Sequence, residues 1–109
     1  MSRLGRGRVR VPERAAKGEI VEIRAMVEHP MESGFRVDNM GRTIPRHIVE
    51  SFTCTYGGSE VFRVRLHPAV STNPYFVFYV VATMTAELVF TWTDDQGGTA
   101  TEKAVLAVH

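Results

Sequence analysis

The chain has 109 residues, 44% hydrophobic and 23% charged, with a single cysteine. That length fits one domain, and the balance excludes disordered and collagen-like chains. One cysteine excludes an internal disulfide and argues against a structural zinc site. The net charge of +1 hides an asymmetry: residues 1–17 carry six basic side chains against Glu13 alone, while the rest carries seven basic and eleven acidic ones. The body is therefore mildly acidic, unlike a folded polyanion-binding surface. The basic start has neither an apolar h-region nor a small-residue cleavage site, so it does not read as a secretory signal. No apolar run approaches the roughly 18 residues of a spanning helix.

Period-two alternation runs through the chain, and no long 3.6-residue pattern competes with it. Val9 and Val11 alternate with Arg8 and Arg10 in a short strand closed by Pro12. From Gly18 to His29, Val21, Ile23, Ala25 and Val27 share one face while Glu22, Arg24 and Glu28 share the other, the pattern of a half-buried antiparallel strand. Residues 30–46, broken by Pro30, Gly34, Asp38-Asn39, Gly41 and Pro45, form a long connection. It is expected to arch over one end of the fold, although loops of that length are often functional. A short helical turn around Arg46–Glu50 can precede the next strand, in which Phe52, Cys54 and Tyr56 share a face.

Gly57-Gly58 marks a tight hairpin, followed by a strand with Phe62, Val64 and Leu66 inward and Arg63 and Arg65 outward. Residues 75–82 stand apart because both faces are apolar: Phe76, Phe78, Val80 and Ala82 on one, Tyr75, Val77, Tyr79 and Val81 on the other. Then Leu88, Phe90 and Trp92 alternate with Val89, Thr91 and Thr93, residues 94–98 make a turn, and a last strand runs from Thr99 to Val108. About seven strands with almost no helix make an all-β, immunoglobulin-like antiparallel β-sandwich. The domain is placed at 8–109, behind a flexible basic arm at 1–7.

Candidate chemistry is sparse. Cys54 lies mid-strand on an apolar face, where a free thiol behaves as an inert hydrophobe. His29, His47, His67 and His109 are 18, 20 and 42 residues apart and match no local metal motif. His29 and His67 precede prolines at strand ends, which makes them loop-mouth binding candidates, with a structural or solvent role the favoured reading. Asp94-Asp95 sits in a turn, where aspartate is favoured for local hydrogen bonding. No G-x-S-x-G, G-x-G-x-x-G or P-loop pattern occurs, so nothing argues for an enzyme, a cofactor or a metal. The arm lacks aromatic residues for base stacking. The doubly apolar segment needs a second cover, either a partner chain or the 30–46 loop. A two-layer sandwich has little to spare, so Tyr75, Val77, Tyr79 and Val81 are assigned to a partner interface.

Several blocks of this sequence resemble the SoxZ family of sulfur-oxidation subunits. They are His29-Pro30-Met31-Glu32-Ser33-Gly34, Ile44-Pro45-Arg46, Phe52-Thr53-Cys54-Thr55-Tyr56, Leu66-His67-Pro68-Ala69, Asn73-Pro74-Tyr75 and Phe90-Thr91-Trp92-Thr93-Asp94-Asp95. In order, they span about residues 8–108. The resemblance implies a compact immunoglobulin-like sandwich that pairs with SoxY as a heterodimer. In such pairs the sulfur intermediate rides on a cysteine of SoxY's glycine-rich C-terminal arm, and Sox enzymes visit it transiently. The tail Ala104-Val105-Leu106-Ala107-Val108-His109 has no such arm, so Cys54 does not correspond to the carrier thiol. The resemblance further implies a non-catalytic subunit without cofactor, nucleic acid or membrane. It implies work in the periplasm after export with a signal-bearing partner. The rival readings are a self-sufficient thiol protein using Cys54, with help from His67, and a basic-armed nucleic-acid binder.

Overall fold

In a computed structural model, which describes residues 5–68, 70 and 72–109, the chain forms eight strands. They are β1 (Gly7–Arg10), β2 (Arg14–Ala15), β3 (Ile20–Val27), β4 (Val49–Tyr56), β5 (Ser59–Arg65), β6 (Tyr75–Val81), β7 (Ala86–Asp94) and β8 (Thr99–Val108). One sheet has the order β1-β3-β6 and the other β2-β8-β7-β4-β5. Two facing sheets of short strands make the expected sandwich. The extra strand is β2, two residues long, which runs parallel to the end of β8. Two residues are too few to carry an alternating pattern, so composition could not announce it.

The alternation in the sequence is the alternation in the structure. Val21, Ile23, Ala25 and Val27 of β3 are buried, as are Leu88, Phe90 and Trp92 of β7. On β4 the inward residues are Phe52, Cys54 and Tyr56, and a bulge between Val49 and Ser51 turns Val49 inward as well. The layers meet through aromatic rings. Phe62 of β5 stacks on Phe78 of β6 at 4.3 Å between centroids, and Phe52 stacks on Phe76 at 4.9 Å. The β4–β5 hairpin closes through Gly57 and Gly58 at φ 57° and 86°, the double positive φ that a two-residue type I′ turn requires. Tyr56 reaches across to pin the β6–β7 turn: its hydroxyl donates to the Met84 carbonyl and accepts from the Thr83 and Met84 amides.

One expected element is absent. No helical turn forms around Arg46–Glu50; His47 instead exchanges both backbone hydrogen bonds with Glu32 at 2.8 Å, and the Asp95 amide donates to Ile48 O at 2.9 Å. With these groups committed to bridges, no i→i−4 ladder can start. At the N-terminus, residues 1–4 of the expected arm lie outside the described residues. Gly5 donates to Glu28 O at 2.8 Å and β1 begins at Gly7.

Two predictions come from this packing. A Cβ at Gly7 would lie 2.5 Å from Trp92 Cζ3, a buried ring with no room to yield. Gly7→Ala should therefore lower stability by about 1–3 kcal/mol, as overpacking does, read as a fall in denaturation midpoint; an unchanged midpoint would show that β1 does not close over Trp92. Cys54 is fully buried, and burial pushes its thiol up to about 12 from an ordinary 9.0. Alkylation at neutral pH should wait for unfolding. Because the folded thiol stays protonated where the unfolded one ionises, stability should fall as pH rises from about 9 toward 12. Cys54→Ala should remove that part of the alkaline slope.

Candidate functional site

Two places gather the residues singled out by sequence. The first is the outer face of β6. Tyr75, Val77, Tyr79 and Val81 are 53%, 43%, 63% and 50% exposed, while Phe78 and Val80 between them are buried. Across the β3 register they stand beside Met26, Arg24, Glu22 and Ile20, and Ile20 is exposed too. Arg24 donates to Glu22 and to the Tyr75 hydroxyl, so the flank of the strip is polar but internally paired. The intramolecular cover held open from sequence is not there. Loop 30–46 leaves these four side chains in solvent and exposes its own Phe35, Val37 and Met40.

β6 is also the last strand of its sheet, and β5, facing it, is the last of the other. Toward β3, Pro74 accepts from the Val27 amide, and Ala82 donates to Glu19 and accepts from Gly18. Antiparallel alternation then turns the backbone groups of Val77, Tyr79 and Val81 toward the open edge. One short run thus offers apolar side chains on its face and, along its side, peptide groups that pair with no strand among the described residues. At the end of the edge a groove is lined by Tyr56, Val61, Tyr79, Val81 and Met84.

The second place is one end of the sandwich, where loop 30–46 meets the β7–β8 turn. His29, His47 and Asp94 come together there, each nearly or fully buried. His47 Nε2 lies 3.0 Å from Asp94 Oδ2, and the two imidazoles meet edge to face at 4.5 Å. The His29 ring nitrogen Nδ1 accepts from the Met31 amide at 2.9 Å. Asp94 Oδ1 accepts from the Gln96 and Gly98 amides, the turn role expected of it. Asp95 accepts from the Ile48 amide and from Arg46. Asn73 clamps His29 from the other side: its side-chain oxygen accepts from the His29 amide and its own amide donates to His29 O, both at 2.8 Å. Glu32 beside this cluster is buried and bonded to Arg36.

This convergence was not visible in local spacing, because its members come from residues 29, 47, 73 and 94. The available signal was weaker: two successive carboxylates in a turn that needs one, and a histidine before a proline at a strand end. The other candidates stay apart. His67 and His109 are exposed and belong to neither place, and Cys54 lies in the core.

Comparison with known proteins agrees with both the architecture and the motifs. The chain resembles the superoxide reductase (neelaredoxin) from Ignicoccus hospitalis, with TM-score 0.76, 15% identity, and 97% of this chain and 82% of that one covered. It resembles the sulfur carrier protein SoxY from Chlorobium limicola f thiosulfatophilum with TM-score 0.68, 14% identity, and 94% and 78% covered. A putative superoxide reductase from Thermotoga maritima gives TM-score 0.68, 16% identity, and 96% and 86% covered. At such identities these likenesses show a shared sandwich fold. No curated protein sequence matches the chain. The family model of sulphur oxidation protein SoxZ matches residues 9–105, which takes in every motif block quoted above, and the chain therefore belongs to the SoxZ family.

Proposed function

We propose that this chain is the non-catalytic subunit of a sulfur-carrier heterodimer in thiosulfate oxidation. It binds a SoxY-like chain through the outer face and open edge of β6, stabilises it, and presents the pair to other Sox enzymes. The observation that carries this reading is the strip Tyr75, Val77, Tyr79 and Val81, exposed on an edge strand. Fully burying such a side chain contributes roughly 1.5–3 kcal/mol, and exposed apolar strips of this kind mark interaction surfaces. Tyrosine suits the role because its ring adds contact area while its hydroxyl stays at the wet rim.

The likeness in fold to SoxY supports a pairing of two similar sandwiches. A stable pair of this kind buries about 800 Å² per partner, so β6 supplies the centre of the contact and its neighbours the rim. On this reading the reactive sulfur belongs to the partner. A carrier thiol at Cys54 would have to leave a core in which its ionisation is strongly disfavoured. Arg8, one of the basic residues near the N-terminus, is paired with Glu28 on the same sheet, which weakens the case for a nucleic-acid arm. The working compartment on this reading is the periplasm.

Co-expression with a SoxY-like chain from the same source should yield a one-to-one complex. Val77→Asp places a charge in the strip without touching the core, and should weaken pairing at least tenfold, about 1.4 kcal/mol. Lys103→Asp, on β8 of the other sheet, should leave affinity unchanged. Equal affinity for Val77→Asp and the parent chain, with both folded, would move the interface off β6. After thiosulfate turnover, intact mass should show modification on the partner only; an adduct on Cys54 would overturn the assignment of roles.

A further inference from the structure

We propose that His29, His47 and Asp94 form a binding site for one first-row divalent metal ion of the zinc class. Two imidazoles and a carboxylate are a donor set that such ions accept, with a fourth position left for solvent. One ligand atom from each residue lies within 4.8 Å of the other two, and His47 Nε2 and Asp94 Oδ2 are 3.0 Å apart across a hydrogen bond, whose proton the ion displaces to His47 Nδ1 or to solvent. A tetrahedral ion with bonds of about 2.0–2.2 Å holds its donors about 3.3–3.6 Å apart. The third donor must close by roughly an ångström, and His29 stands where β3 runs into the long 30–46 connection.

The surroundings fit a ligand set. Asp94 keeps Oδ1 on the Gln96 and Gly98 amides, which orients Oδ2 toward His47. Asn73 fixes the His29 backbone on both sides. Groups that hold a ligand by its other atoms are the usual support of metal centres. The three residues are at most 4% exposed, and Glu32 beside them is buried as well, so the ligand atoms are shielded from competing bulk water.

Metal binding has a specific structural cost, and it makes the proposal testable. Without metal, the Met31 amide donates to His29 Nδ1, which places the ring proton on Nε2. Ligation through Nδ1 takes the lone pair that Met31 uses. Ligation through Nε2 sends the proton to Nδ1, where it faces the Met31 N–H. Either way the Met31 bond breaks. Met31 has φ 52°, a conformation that non-glycine residues hold only under constraint, so its peptide is the element that turns.

The full chain, stripped with chelator, is titrated with Zn2+ by calorimetry and with Co2+ by visible absorption, and amide NMR spectra are recorded with and without Zn2+. Binding of one ion per chain is expected, with the absorption of tetrahedral Co2+, a raised melting temperature, and a displaced Met31 amide signal. His29→Gln and Asp94→Asn should each weaken binding at least tenfold, whereas the pair His67→Ala with His109→Ala, at exposed sites, should not. If either core variant fails to fold, the Co2+ spectrum and the Met31 shift of the parent chain still decide. Three results would overturn the site: no saturable binding, binding lost only with the exposed histidines, or binding that leaves the Met31 amide unmoved.

Discussion

A strand in a two-layer sandwich has one face toward the opposite sheet and one toward water, and β6 is apolar on both. Phe76 and Phe78 spend one face on the rings of Phe52 and Phe62. Tyr75, Val77, Tyr79 and Val81 meet only their neighbours on β3 among the described residues, with no layer packed over them, and stay about half exposed. Central strands of fully covered parallel sheets carry such runs because helices pack on both sides; no helix occurs among the residues described here. The imbalance sits at the sheet edge, where natural proteins usually place charge, proline or a bulge to prevent pairing. None of these blunts β6. The same constraint that would make an isolated chain prone to association suits it to the subunit role proposed above.

The opposite demand operates at the end of the sandwich. A seventeen-residue connection, 30–46, would ordinarily be loose, yet its roots are tied by a set of hydrogen bonds, several of them buried. His29 is held by Asn73, His47 by Glu32 and Asp94, and Ile48 by Asp95. Four of the motif blocks meet in space: the histidine before Pro30, Arg46 after Pro45, the asparagine before Pro74 and the two aspartates after Thr93. Their charges and hydrogen bonds brace the roots, while the tip with Phe35, Val37 and Met40 stays exposed.

How much of this was legible in the sequence depended on the range of the interaction. Faces set by period-two alternation were readable residue by residue, down to the split of β6 into Phe76, Phe78 and Val80 against Tyr75, Val77, Tyr79 and Val81. The Gly57-Gly58 turn was readable because its φ angles demand glycine. β2 was not, since its pairing to β8 is a property of the chain that comes back 93 residues later. The helical turn allowed around Arg46–Glu50 gave way to bridges from Glu32 and Asp95, donors and acceptors that local propensity does not see. The meeting of His29, His47 and Asp94 failed for the same reason: the two ends of one long connection and the end of β7 had to be brought together before their side chains became neighbours.

On the proposed function, the outer face and edge of β6 are where the partner sits. Amide hydrogen exchange of this chain, alone and in complex with its SoxY-like partner, tests it most directly. Slowed exchange at Val77, Tyr79 and Val81 on complex formation, with β8 unaffected, is the predicted result. Complex formation that leaves those amides exchanging as in the isolated chain, while protecting another surface, would contradict it.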